Sequence, residues 1–319
     1  MIRLFLGNRI IVLFLLPFIL LSFYLLNNHF EYHKIDDEIN FGFWNGLFQF
    51  SALATQISAS ILVLFNAIYL NYLYNNYDFQ DRNTYVISLI YVILMSFYYS
   101  FYRLDGILIS HTFIVLSLVQ YFKLKQNADG KEAIFNSAFF LGCAASFHPP
   151  LILFTPVFIF MYLVIRPFII REFIVFIVGI IAPLLFGITY LKWTGGQLST
   201  KLILSKESLQ IHKDFIIILI FILILLILST LGIRNRIQKS SNRLKKQIQI
   251  IWLLIAVAIC MGSIDFFFYQ QIERFSLLII PLAILLSYSF FNKRFGTISS
   301  ILFYLTIAYA VIKFFLVRI

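Results

Sequence analysis

Asp36, Asp37 and Glu38 follow one another just after the first apolar run of a chain that holds only 14 acidic residues in 319. Carboxylates are costly to desolvate, so an apolar chain keeps a run of them where water, a metal or a cationic partner reaches it. There, a carboxylate can take the proton of an acceptor hydroxyl or hold a divalent cation against a phosphate. Other groups extend this chemistry. Arg103 and Asp105 stand two apart in SFYYSFYRLDGILISH, His148 precedes Pro149 and Pro150, and Glu273 adjoins Arg274. Arginine clamps a phosphate or pyrophosphate bidentately, and lysine does so as a point charge. Residues 192–214 add Lys192, Lys201, Lys206, Glu207, His212, Lys213 and Asp214. Each feature also has a plain structural reading. The acid run can solvate a loop, Arg103 and Asp105 can form a surface pair, His148-Pro149-Pro150 can be a sharp turn, and Glu273-Arg274 can be a local pair. His29 and His33 have metal-ligand spacing on a helix, but Asn27, Asn28 and the nearby acids favour a loop.

The elements that must position these groups are membrane helices. The chain is 61% hydrophobic and 12% charged, with 38 Phe and 18 Tyr, and its mean hydropathy is +0.92. Soluble domains carry about 25% charged residues. Apolar runs of membrane-spanning character cover 10–26, 50–72, 84–101, 106–122, 133–147, 151–165, 173–191, 215–233, 248–264, 275–291 and 297–316. These predict an all-α, polytopic integral membrane protein of about eleven transmembrane helices. It is one transmembrane domain over residues 1–319, with no soluble domain. The first outer loop, about 27–49, has room for one interfacial helix around 39–49. The first run lacks a small-residue cleavage site and reads as an anchor. Trp44, Tyr32 and Trp193 suit an interfacial aromatic belt or stacking on sugar rings. Cys143 and Cys260 fall within spans, without metal spacing, and read as small packing residues.

Charge distribution gives an orientation. The net charge of +11 is dispersed among apolar runs, which argues for membrane lipids as partners and against nucleic acid. With the N-terminus in the cytoplasm, alternating spans put 16 Lys/Arg inside and eight outside, and five acids inside against nine outside. That bias favours a cytoplasmic N-terminus and places Asp36, Asp37 and Glu38 on the outer face. The segment RNRIQKSSNRLKK, 234–246, is the strongest cytoplasmic marker, with contact to anionic lipid as a secondary effect. No Gly-rich phosphate loop and no DxD motif is visible, which counts against a nucleotide-sugar donor. No internal repeat is visible, and His111 and Lys313 are the only evident ionisable groups deep in the spans, which counts against a transporter.

Four stretches in order resemble the GT-C superfamily of membrane glycosyltransferases, the polyprenyl-phosphate-sugar-dependent enzymes related to protein O-mannosyltransferases and lipid A aminoarabinose transferases. They are Asp37-Glu38 after a first span and Arg103-Leu104-Asp105-Gly106 leading into a helix. FFLGCAASFHPPLILFTPVFIF and Glu273-Arg274-Phe275 running to Pro281 complete the set. His148 stands where the family often has Lys, and no stretch of this sequence reads as the large C-terminal outer domain of many family members. The chain is also similar to short inner-membrane proteins of Bacteroidota. The resemblance implies a GT-C-like fold in a bacterial inner membrane and transfer of a sugar from a polyprenyl-phosphate donor to a lipid, glycan or protein at the periplasmic face. It implies Asp36 or Asp37 as general base, and Asp105 as the group that positions the acceptor or a metal. Arg103, His148 and Arg274 would hold the carrier phosphate, with Glu38 beside the substrate. Asp37 and Asp105 would be the ligands of a divalent cation. The alternative is a non-catalytic subunit or scaffold that binds protein partners in an envelope complex.

Overall fold

The computed structural model describes residues 1–30, 40–47, 51–124, 130–195, 213–238, 240–269, 272–292 and 295–316. Within them the chain forms 13 α-helices. In order these are α1 (Ile2–Phe5), α2 (Leu15–Phe30), α3 (Ala52–Asn76), α4 (Val86–Ser96), α5 (Tyr99–Tyr102), α6 (Gly106–Phe122) and α7 (Lys131–Phe147). There follow α8 (Phe154–Ile165), α9 (Ile170–Trp193), α10 (Lys213–Gln238), α11 (Asn242–Tyr269), α12 (Ile279–Phe291) and α13 (Gly296–Leu316). Tight 3-10 turns occur at Ile10–Phe14, Gly42–Trp44, Pro149–Leu153 and Glu273–Leu278.

Each of the eleven apolar runs falls on helical structure where it is described, but among the described residues only seven helical segments are long and apolar enough to cross a membrane. They are Ile10–His29, Leu53–Asn76, Ile170–Trp193, Asp214–Gln238, Asn242–Phe267, Glu273–Phe291 and Gly296–Phe315. Val86–Ser96, Gly106–Phe122 and Pro149–Ile165 are apolar but shorter. At 1.5 Å per residue, a helix of 17 residues reaches about 26 Å, short of the roughly 30 Å hydrocarbon layer. The seven long helices make this a multi-pass membrane protein.

The long helices carry a lipid-type exterior. Ile10–His29 exposes Ile11, Phe14, Phe18, Leu21 and Leu25 and buries Val12, Leu16, Leu20 and Phe23. Apolar exposure on that scale is stable only in hydrocarbon. The interior belongs to α4 and α12: every residue of α4 is buried, and so is α12 from Ile279 to Phe290. Around α12 pack α4, α10, α11 and α13, while α6 packs on α3 and α7, and α7 on α9. The α7–α9 contact uses small residues. A Cβ on Gly142 would stand 2.6 Å from the Ile180 carbonyl oxygen, and one on Gly179 would stand 2.9 Å from Ala138 Cβ. Close backbone approach of this kind is how membrane helices gain packing without a hydrophobic drive.

Between α2 and α3, the interfacial helix expected around 39–49 is a single 3-10 turn, Gly42–Trp44, among the described residues. Gly42 and Gly46 have φ of +63° and +86°, which break a right-handed helix on either side of Trp44. The cysteines are free, as their spacing implied.

Candidate functional site

Arg103, Asp105, His148 and Arg274 gather at one end of the bundle, where α5, α7 and α11 end and α6 begins. Helix α5 stops at Tyr102, and Arg103 and Asp105 are extended. The Asp105 carboxylate then caps α6 by accepting the Leu108 N–H at 2.8 Å, satisfying a donor that the first turn of a helix leaves free. The Gly106 N–H donates to the Asn40 carbonyl at 2.9 Å. A Cβ on Gly106 would lie 2.2 Å from the Phe147 carbonyl oxygen and 2.9 Å from that of Asn40. The start of α6 is therefore in backbone contact with the end of α7, next to His148. Trp44 closes the same corner: its Nε1 donates to Ser146 Oγ at 3.0 Å, and its ring stacks on Phe147 at 5.9 Å and Tyr190 at 5.3 Å.

Gly106→Ala is expected to lower stability by roughly 1–3 kcal/mol, because both atoms it meets are backbone and cannot swing aside. Its thermal midpoint in detergent should fall while Ser110→Ala, one turn on, changes less. Equal midpoints for Gly106→Ala and the native chain would refute the close contact.

The turn Glu273–Leu278 supplies the opposing wall. Its two charged residues do not pair locally. Glu273 Oε1 accepts from Arg103 Nη2 at 3.3 Å. Arg274 Nη1 pairs closely with Asp265 on α11, and Arg274 Nε donates to His148 Nε2 at 3.0 Å. Ser276 Oγ lies 3.1 Å from His111 Nε2, and His111 Nδ1 lies 2.9 Å from the Tyr91 hydroxyl. The polar cluster thus runs from the bundle end down into its core along α6 and α4.

Electrostatics give two of these groups unusual states. Burial, and then the Glu273 carboxylate, push the Asp105 carboxyl from its ordinary 3.8 up to about 7; the Leu108 N–H and Arg103 oppose this. Burial, then Arg274 and His111, push His148 down to about 3. His148 is therefore a neutral imidazole, consistent with its Nε2 lone pair facing an arginine that can only donate. It orients Arg274 rather than adding a charge.

A carboxyl with a raised folded-state pKa binds a proton that the unfolded chain releases. Its stabilising contribution is complete below about pH 4 and is lost as pH rises toward about 7. Asn still caps helices, so Asp105→Asn should keep α6 while flattening this part of the profile. The measurement is thermal midpoint against pH between about 4 and 8. Identical slopes in both proteins would contradict the raised value.

A second group lies at the same end. Lys313, buried in α13, sits 3.6 Å above the Tyr98 ring and donates to the Phe97 carbonyl. The Tyr98 hydroxyl donates to Asp214 Oδ2 at 3.2 Å. Lys313 is satisfied locally by a ring and a carbonyl.

The structure brings Arg103, His148 and Arg274 together through the turn that carries Glu273 and Arg274, with Asp105 beside them at the start of α6. Asp36, Asp37 and Glu38 lie outside the described residues, as does His33 of the His29/His33 pair. Asp265, one residue past the apolar run 248–264, lies inside α11, because that helix runs on to Tyr269. The signal was available: an acid following a long apolar run is a functional candidate by default. Among the described residues no group of three or more His, Cys, Asp or Glu side chains is placed to hold a metal. No protein-family model, no curated protein and no solved structure matches the chain.

Proposed function

We propose that this protein is a membrane glycosyltransferase of GT-C type that uses a polyprenyl-phosphate sugar as donor. The observation that carries the reading is that Arg274, bonded to His148, and Arg103, bonded to Glu273 next to Arg274, lie at one bundle end with Asp105 at the start of α6. There a phosphate whose tail lies in the membrane reaches two guanidinium groups. In this reading the end with segment 234–246 faces the cytoplasm and the cluster faces outward. The acceptor hydroxyl loses its proton to Asp36 or Asp37 and attacks the anomeric carbon. The bond from that carbon to the phosphate oxygen breaks, and the polyprenyl phosphate leaves with the electron pair. Arg274, oriented by neutral His148, and Arg103 stabilise the charge on the departing phosphate. Asp105 positions the acceptor, or a divalent cation together with Asp37.

One observation favours a second reading, a non-catalytic subunit of an envelope complex. Both arginines already have carboxylate partners, Asp265 and Glu273, so their charge is balanced without a ligand. The two readings part in one experiment. The full chain in lipid nanodiscs is given a radiolabelled polyprenyl-phosphate sugar and membrane extract as acceptor. Transfer that disappears in Asp37→Asn and in Asp105→Asn, with thermal midpoints kept, supports the enzyme. Full transfer in the double variant, or none in the native chain, supports the subunit.

A further inference from the structure

At the opposite end of the bundle, the ends of α6 and α8 and the start of α11 enclose a cavity of ≈ 510 Å³. Its polar wall is Asn242, Arg243, Lys245, Lys246, Gln247 and Gln249, and its apolar wall is Phe122, Leu124 and Ile165. Among the described residues no carboxylate lines it. Two of the three cations are held by groups that leave their charge standing. Arg243 Nη2 donates to the Phe122 carbonyl at 3.1 Å, with its guanidinium 5.7 Å from the Tyr77 ring centre. Lys246 Nζ donates to the Ile165 carbonyl at 2.9 Å. The first turn of α11, a helix of 28 residues, adds the positive end of its dipole.

Gln247 supplies an independent sign that something belongs there. It is 3% exposed, lines the cavity, and neither its amide nitrogen nor its amide oxygen has a hydrogen-bond partner. A buried amide left unmatched on both atoms is costly, and native structures rarely keep one without a ligand or water.

We propose that this cavity binds the phosphate headgroup of an anionic membrane lipid. Its level among the helix ends is where lipid phosphates lie, and its apolar wall suits the glycerol and first acyl carbons. Lys245 and Arg243 meet the phosphate oxygens, and the Gln247 amide donates to a phosphate or ester oxygen. The site is remote from the Arg274 cluster, and it stands or falls separately from sugar transfer.

The test uses the full chain in nanodiscs of phosphatidylcholine alone, of phosphatidylcholine with phosphatidylglycerol, and of phosphatidylcholine with inorganic phosphate in the buffer. Thermal midpoint and lipid retention in native mass spectrometry are read. Phosphatidylglycerol should raise the midpoint and be retained, and Lys245→Gln should weaken retention about fivefold, the effect of one basic residue. Gln247→Leu should raise the midpoint in phosphatidylcholine, since it removes an unmatched amide, and should reduce the further gain from phosphatidylglycerol. An equal gain from phosphatidylglycerol in the native chain and both variants would overturn the proposal. So would no gain at all, or inorganic phosphate giving the whole effect.

Discussion

Arg274→Ala is expected to destabilise the protein by roughly 3 kcal/mol, toward the lower end of the cost of leaving a buried charge uncompensated, since Arg274 itself is only partly buried. The charge left behind is Asp265, whose side chain is 3% exposed in the native fold, and His148 also loses the donor to its Nε2. The test is the thermal midpoint in detergent. The double variant Arg274→Ala/Asp265→Leu should recover much of the loss, because replacing both members of a buried pair by apolar groups is often neutral. Arg274→Lys should fall between, since a point charge on a flexible stem cannot serve Asp265 and His148 with two fixed donors. An alanine variant within about 0.5 kcal/mol of the native chain would show that the pair is not structural. The double variant also separates fold from function: if it folds but transfers no sugar, the arginine acts on the donor phosphate.

The second large effect is expected at the other end of the bundle. Glu172, in the first turn of α9, is 3% exposed, and Arg166, just past α8, is 5% exposed, with Arg166 Nη1 3.2 Å from Glu172 Oε1. The contact is close enough for coulombic attraction, though Nη1 is not aligned for a hydrogen bond. Glu172 has further partners: Oε2 accepts from the Tyr162 hydroxyl at 2.8 Å and Oε1 from the Gly130 N–H at 3.3 Å. One carboxylate thus joins the start of α7, the end of α8 and the start of α9, near the positive end of the α9 dipole. Glu172→Gln keeps the shape and an acceptor but removes the charge, leaving the Arg166 guanidinium buried and unpaired. A loss of roughly 3 kcal/mol or more is expected, largely reversed in Glu172→Gln/Arg166→Met. A single variant as stable as the native chain would mean that hydrogen bonding, and not charge, holds this corner.

The parts of the fold that were legible were those written locally. The apolar runs found helices because a helix satisfies its own backbone and hydropathy adds up residue by residue. Gly42 and Gly46 turned an expected interfacial helix into one 3-10 turn, a consequence of positive φ that spacing does not reveal. Helix α11 carried on past its apolar run and took Asp265 with it, into contact with Arg274 of the 273–278 turn. Asp105, read from the sequence as part of a surface pair or as a positioning group, caps α6, a role its type and its place ahead of an apolar run allow.

Composition and hydropathy alone thus settle that this chain is all-α, multi-pass and sparing with charge; Arg103, Asp105, His148 and Arg274 were singled out by their residue types between the apolar runs and by the family resemblance. Which charges meet was left to packing. Glu273 pairs with Arg103 across 170 residues, not with its neighbour Arg274, and Arg274 reaches His148 across 126. The same packing leaves Gln247 unmatched beside a basic cavity. The reason is physical: hydrophobicity acts on each segment by itself, whereas an ion pair needs two side chains delivered to within a few ångströms. That delivery depends on helix contacts such as Gly106 against Phe147 and Gly142 against Ile180.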